Sequence, residues 1–440
     1  MTSGLRIKTD VVVIGGGLAG LTSALHLVKA GLQVICLEPK REFKHVVGES
    51  LDWSAPELFR ELGLSMEHLV GEGIATYKRH VILQLRDGSR AEYIPSEWLG
   101  RPPFNVELRT LHLDRVRLHQ ELQKLAESSG VRVVHGTATA VERMGKRICA
   151  VVTSSGNRYE ADWFVDASGS SSRFFSRQLK LKELEYGPKK VGIWSYVYTE
   201  DWQEGTTLYA EDRPSEYLNW LWEIPVAPGK LSVGYVEAAS VIKQHRSNGQ
   251  SIEDIFRRQL SKFQRFERAL LDGKIEQPAV RSFRCRTCQS ACGPNWVITG
   301  EAQGVPDPIT GNGVTAALRQ AAEGTRLILK FRRRRQIPWH VRTVYNLRVL
   351  HMARFFNSLI EKLAYRCTLR DRFGLLKMGD LYTALAWSMN HLYSRIQPNG
   401  LLKSGVFCSL LSAFRAMAWL FERIVAMLPA TSPLAVREAN

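Results

Sequence analysis

Apolar and polar positions along the chain change period several times, and each change predicts an element. In residues 10–14 (DVVVI) an unbroken apolar run follows Asp10, the pattern of a strand buried on both faces. Residues Leu18 to Ala30 then follow a helical period, and Gly31 stands where a helix C-terminus favours glycine. The run LQVICLE (32–38) is a second buried strand. Residues 56–69 read as a helix, and 75–95 alternate like a hairpin turning at Asp87-Gly88. Residues 111–129 carry a strong amphipathic period, followed by the strand VRVVHG and the segment DWFVDASG. Alternation dominates 190–238, in VGIWSYVYT, NWLWEIP and KLSVGYVEA. Residues 251–271 are again helical, WVITGEA is a buried strand, and a long helix starts at Gly313 and runs into Lys330 and Arg332 to Arg335.

These elements predict an α/β fold. A Rossmann-type domain takes residues 8–185 and 280–335, and an antiparallel β-sheet substrate domain is inserted at about 186–279. From residue 336 to 440 the pattern is mostly helical, rich in Leu, Ala, Trp and Phe, with regularly spaced Arg and Lys. Leu381 to Ser394, uncharged but short, falls below the roughly 20 residues of a spanning helix. Residues 406–428 carry Arg415, Glu422 and Arg423, again unlike a spanning segment. The two readings of this region are a soluble helical domain and a peripheral membrane-binding face.

Composition narrows the picture little. With 45% hydrophobic and 23% charged residues the chain reads as globular rather than disordered. A net charge of +17 attracts polyanions, acidic lipid surfaces or acidic carrier proteins. Basic residues do not interleave with aromatics, so nucleic acid is not expected. The seven cysteines are irregularly spaced, which suits a reducing compartment rather than a disulfide framework. Cys285-x-x-Cys288-x-x-x-Cys292 lacks a fourth ligand, and these thiols are expected to be structural, with no metal. No basic-then-apolar leader opens the sequence, so the expectation is cytoplasmic, at most peripheral to the inner face of a membrane.

Chemistry enters at residues 15–20. Gly15-x-Gly17-x-x-Gly20 follows a strand and opens a helix, the context in which this spacing binds a dinucleotide. Gly15 allows the tight turn, Gly17 lets the backbone approach a pyrophosphate, and Gly20 lets the helix pack on the strand. The helix start at Leu18 and Ala19 then offers free N–H groups to the phosphates. Glu38, 18 residues after Gly20, ends the second strand where a carboxylate can take ribose hydroxyls.

The segments FVDASGSSSR (164–173) and WVITGEAQGVPDPITGNGV (296–314) resemble later flavin-contact motifs of an FAD superfamily. It holds flavin monooxygenases, geranylgeranyl-reductase-like enzymes and flavin-dependent halogenases. The resemblance covers roughly residues 8 to 330 and implies FAD as cofactor. It assigns Glu301 to the FAD ribose, although the family usually has Asp there, and Arg115 to the neighbourhood of the FAD diphosphate and adenosine. Glu49, in Val47-Gly48-Glu49-Ser50, matches a segment shared by the halogenases and reductases. Gly311, Asn312 and Gly313 are expected to hold either a halide or the flavin pyrimidine oxygen with backbone N–H groups.

Asn219-Trp220-Leu221-Trp222-Glu223-Ile224-Pro225 is similar to the W-x-W-x-I-P motif of the flavin-dependent halogenases. The resemblance places Trp220 and Trp222 beside the flavin, keeping substrate from it. Two aromatics on one strand face are also ordinary core. Lys78, 29 residues after Glu49, stands close to the place of the halogenase lysine that receives hypohalous acid. A surface lysine beside Arg79 is the other reading.

Thr310 and Gly311 occupy the positions where tryptophan halogenases carry a glutamate that assists proton removal. The resemblance therefore implies a substrate that activates itself, a phenol- or pyrrole-like ring, free or carrier-tethered. No second glycine fingerprint is seen, which favours reduced flavin arriving from a separate flavin reductase. The alternative is a hydroxylase or reductase of a lipid or isoprenoid at a membrane surface.

Overall fold

The computed structural model describes residues 4–40, 43, 46–52, 55–88, 90–93, 109–210, 217–272 and 275–365. Everything expected beyond residue 365, with Cys367, Cys408 and the Thr310 side chain, lies outside the described residues.

The first sheet has seven strands. Its order is Arg132–His135, Val34–Glu38, Arg6–Ile14, Arg158–Asp166, Arg147–Thr153 and Ala138–Met144, with Trp296–Ile298 also beside Arg158–Asp166. The strands Arg132–His135, Val34–Glu38, Arg6–Ile14, Arg158–Asp166 and Trp296–Ile298 run parallel. Strand period two divides the opening run between two cores. Val11 and Val13 face a cluster that includes Leu21, Leu25, Leu118, Leu122, Leu318 and Leu327, so the three flanking helices cover that side. Val12 and Ile14 face Tyr159, Phe174, Phe175 and Trp296 on the other. Strands buried on both faces are what continuous apolar runs predict.

The second sheet has eight strands. They run Gly304–Val305, Ala279–Cys288, Glu183–Tyr198, Lys230–Ala238, Trp220–Ala227, Thr206–Ala210, Val81–Leu85 and Arg90–Tyr93. Pairing is antiparallel except between Thr206–Ala210 and Val81–Leu85. One face, with Ile193, Leu221, Val233 and Tyr235, packs on the helices Ala239–Ser247 and Ile252–Leu260. The other face carries Trp194, Tyr196, Trp220, Trp222 and Ile224, and meets Val47, Ile309, Ile360 and Tyr365. The tryptophans thus point away from the helical cover, toward the segments that follow the Rossmann strands.

Several boundaries differ from the sequence expectation. Residues 75–78 do not belong to the hairpin. They pair antiparallel with Thr110–Leu113 in a separate two-stranded sheet, whereas Val81–Leu85 and Arg90–Tyr93 form the hairpin around Asp87-Gly88. The helix expected from 111 starts at Arg115, because Asp114 caps it through Val116 and Arg117 N–H groups, and 110–113 are strand. Gly63, at φ +87°, breaks the helix expected over 56–69 into Ala55–Leu62 and Met66–Gly71. The helix from Gly313 ends at Phe331, before the four arginines.

Candidate functional site

The parallel strands end at one edge, and the Gly15 turn lies there between strands on either side, where open α/β sheets take their ligands. Gly15 has φ +98°, and a Cβ there would lie 2.4 Å from the Ala167 carbonyl oxygen. A Cβ on Gly20 would meet the Gly15 oxygen at 1.8 Å. Gly17 is different: a Cβ on it would meet nothing within 4 Å. It caps the helix Leu18–Lys29, whose first turn has no acidic residue. The space over this helix start suits a pyrophosphate. Glu38 sits at the strand end, its Oε2 accepting the Gly16 N–H at 2.6 Å and its Oε1 the Lys40 N–H at 2.8 Å. A carboxylate has lone pairs left for a ribose. These residues fit the ADP half of FAD. Replacing Gly17 with Val should leave the fold intact, since its φ of −70° suits any residue. FAD affinity, followed by flavin fluorescence, should fall roughly 10- to 100-fold through overpacking. An unchanged affinity would remove Gly17 from the cofactor site.

Residues 48–52 run beside the strand Thr110–Leu113 of the two-stranded sheet. Leu113 N–H donates to Glu49 O at 2.9 Å and Leu51 N–H to Leu111 O at 3.2 Å, so this segment pairs with Thr110–Leu113. Arg115 donates to Gly48 O at 2.9 Å. Glu49 is 1% exposed. Its carboxyl accepts from the Gly48 N–H at 2.8 Å and the Ser232 hydroxyl at 3.0 Å, and burial pushes its pKa up against these bonds. Trp222 Nε1 donates to the same Ser232 oxygen at 3.1 Å. Glu49 and the tryptophan motif therefore share one hydroxyl. Glu301 is tied to Arg281 at 2.5 Å and to Ser170 at 2.7 Å. Desolvation would raise its pKa, but Arg281 and Ser170 hold it below the usual range.

Lys78 is buried, so the surface reading does not hold. Its Nζ donates to Ser50 Oγ at 2.9 Å and to Leu51 O at 3.0 Å. Burial brings its pKa down to about 8, opposed by the nearby Asp52 carboxylate. Gly311 lies against the same serine: at φ +63°, a Cβ on it would stand 3.0 Å from Ser50 Oγ. Gly311 closes the turn begun at Asp307, Asn312 caps the helix Gly313–Phe331, and Asp52 N–H donates to Thr315 in its first turn at 3.3 Å. Lys78 and Gly311, 233 residues apart by numbering, are thus brought to one hydroxyl, while the Gly311 N–H itself donates to Pro308 O at 3.0 Å.

Trp220 and Trp222 share a face, with ring centroids 5.7 Å apart. Trp222 lies over its cross-strand partner Gly234, where a Cβ would meet the indole at 2.1 Å. Trp220 Nε1 donates to Tyr365 OH at 3.0 Å, and Tyr365 OH donates to Asp307 Oδ1 at 2.9 Å. Asp307 also accepts from Lys190 at 2.7 Å, Cys285 at 3.3 Å and the Ile309 N–H at 3.1 Å. Sequence reasoning missed Lys190, Tyr365, Ser232, Thr206 and His112. Asp307 was visible only as the residue before a proline. Cys285 and Cys288 both lie buried on the strand Ala279–Cys288, and Cys288 donates to Ser290 O at 3.3 Å.

The FAD dependent oxidoreductase family matches residues 10–218. Tryptophan 2-halogenase of Chondromyces crocatus is 27% identical over 337 residues, which is 72% of this chain and 60% of that protein. The family match spans just under half of the chain, and the curated relatives similar to it include several flavin-dependent halogenases. The 1H-pyrrole-2-carbonyl-[peptidyl-carrier protein] chlorinase of Pseudomonas fluorescens is 27% identical over 342 residues, covering 71% of this chain and 74% of the chlorinase. The flavin-dependent brominase Bmp2, as a triple mutant, has a TM-score of 0.70 over 94% of this chain and 100% of its own, at 19% identity. That likeness is one of fold. The chain spans only 60% to 66% of the length of the first curated relatives. Of the helical region from residue 336, read either as a soluble domain or as a peripheral membrane face, Trp339–Leu359 is described, with Arg332 to Arg335 and Trp339 exposed before and at its start. Among the described residues no helix is long and apolar enough to cross a membrane.

Proposed function

We propose that this chain is a halogenase that uses reduced FAD, O₂ and halide on a phenol- or pyrrole-like ring, free or carrier-tethered, with reduced flavin delivered by a separate reductase. Bound FAD, when reduced, would supply two of the four electrons that O₂ takes, the halide supplying the other two and leaving as hypohalous acid with one water formed. The helix start at Gly17 to Ala19 and Glu38 hold the ADP part, with Arg115 near its diphosphate and adenosine and Glu301 at an FAD ribose. The N–H groups of Asn312 and Gly313, next to the Gly311 turn, hold the halide at a helix start, which favours anions. Lys78 receives the hypohalous acid. Its lone pair takes the halogen, the O–halogen bond breaks, and hydroxide leaves with an N–H proton as water. Trp220 and Trp222 wall the substrate off from the flavin.

The observation that carries this reading is the buried Lys78 held on Ser50, against which Gly311 packs. A lysine spends its protonated form poorly in such a place, and its free amine is the reactive form. With no glutamate at 310 or 311, the ring must supply its own electron push, as a phenol oxygen or pyrrole nitrogen does. The test is halogenation of monochlorodimedone or a simple phenol by the protein with chemically reduced FAD, O₂ and bromide. Brominated product at a rate above free hypobromite controls is expected. Absence of product together with rapid FAD reduction by NAD(P)H alone would replace this reading with a hydroxylase or reductase.

A further inference from the structure

His112 is buried beside Lys78, on the strand Thr110–Leu113 paired with Ala75–Lys78, and no role in the site has so far been given to it. Its Nε2 lies 2.8 Å from Thr206 Oγ1. That oxygen is 3.5 Å from Ser50 Oγ, which accepts from Lys78 Nζ at 2.9 Å. Three strands and the 48–52 segment thus place amine, hydroxyl, hydroxyl and imidazole in one line. The other ring nitrogen, Nδ1, is buried and unpartnered among the described residues.

The direction of the line follows from the charge of Lys78. An ammonium can only donate, so Ser50 accepts from it; with the Ser50 proton directed at Thr206, Thr206 donates to Nε2. The imidazole proton then sits on Nδ1. A free amine accepts as well, and the line can run the other way, from a protonated Nε2 through Thr206 and Ser50 to Lys78. We propose that Lys78 and His112 form one proton-sharing unit, in which loss of the Lys78 proton reverses the two hydroxyls and moves the imidazole proton from Nδ1 to Nε2. Atoms balance between the two states: the unit as a whole loses one proton to solvent, Lys78 is left a free amine, each hydroxyl keeps one proton, and the imidazole keeps one, now on Nε2.

The imidazole remains neutral throughout. Burial first, then the Lys78 charge and His80, hold the His112 pKa well below its ordinary value. The other charged groups around the unit are Asp52, near Lys78, and Glu92, Glu204 and Arg90, around His80. The unit ties the free-amine form of Lys78, the form proposed to take the halogen, to the tautomer of His112. This role rests on the lysine function proposed above, but its physical basis is independent of turnover.

The experiment is long-range ¹H–¹⁵N NMR on full-length protein labelled with ¹⁵N-histidine, titrated from pH 6 to 10.5. In the unsubstituted chain the His112 nitrogens should exchange their tautomer shifts around pH 8, without an imidazolium signal. K78M should hold His112 in one tautomer across the range, and T206V should abolish the midpoint near pH 8 while Lys78 still titrates by competitive acetylation. His112 shifts that stay constant through the Lys78 midpoint, or that titrate identically in K78M, would overturn the proposal. Failure of halogenation with the coupled titration intact would instead count only against the halogenase reading.

Discussion

Lys78→Met should abolish enzyme-directed halogenation while flavin binding and reoxidation persist. Methionine keeps the length and most of the volume of lysine and removes the amine. A loss of about 10² to 10⁴ in rate is expected, the usual weight of a positioned proton- or group-transferring side chain. Activity in the unsubstituted chain should rise with pH through about 8, where Lys78 becomes a free amine. Product analysis and stopped-flow flavin oxidation, run side by side, check both halves. Loss of bound flavin in the variant would make the lysine structural instead.

The same residue leaves a mark on stability, and its sign is fixed by linkage. A free lysine titrates near 10.4, whereas burial brings Lys78 to about 8. Between these values the unfolded chain binds the extra proton, so folding stability rises with pH across that window. Below pH 8 the buried ammonium is a cost of up to about 3 kcal/mol. Lys78→Met removes this pH dependence. The stability difference between the two proteins, from denaturant melts, should therefore move toward the unsubstituted chain as pH rises from 8 to 10.5.

The Rossmann half was legible because its determinants are local. Three glycines, a helix start and Glu38 lie within one short unit, and the steric demands at Gly15 and Gly20 are those the spacing implies. The second sheet was legible as alternation, though not the destination of Ala75–Lys78. Four residues carry too little period to say whether they continue a hairpin or pair with Thr110–Leu113. Lys78 could be singled out by resemblance, but its burial could not, because Ser50, Thr206 and His112 reach it from three other segments. Tyr365 is a different case. Its hydroxyl joins Trp220 to Asp307 from a helix at the other end of the described chain, and nothing near residue 365 in sequence signals that.

Lys190→Met should be among the most destabilising single substitutions in the described chain. Lys190 is 1% exposed and its ion-pair partner Asp307 2%, at 2.7 Å. Desolvation works against the Lys190 charge, but Asp307, Cys285 and Glu361 outweigh it and raise the pKa. Removing only the lysine leaves Asp307 buried without that cation, a loss of about 3–5 kcal/mol. Asp307 also accepts from Tyr365 and the Ile309 N–H, so its reorganisation should reach both Trp220 and the turn that ends at Gly311. Adding Asp307→Asn to Lys190→Met removes the orphaned charge and keeps an acceptor, and the double variant should recover most of the lost stability. If the double variant is no more stable than Lys190→Met in denaturant melts, the pair is not what holds this junction. The sign with pH differs from that of Lys78. A raised lysine pKa contributes stability that is full below the unfolded value near 10.4 and is lost as pH climbs through the folded one. Two buried lysines therefore pull in opposite directions: the charged form of Lys78 costs stability, and that of Lys190 supplies it because a buried carboxylate needs it.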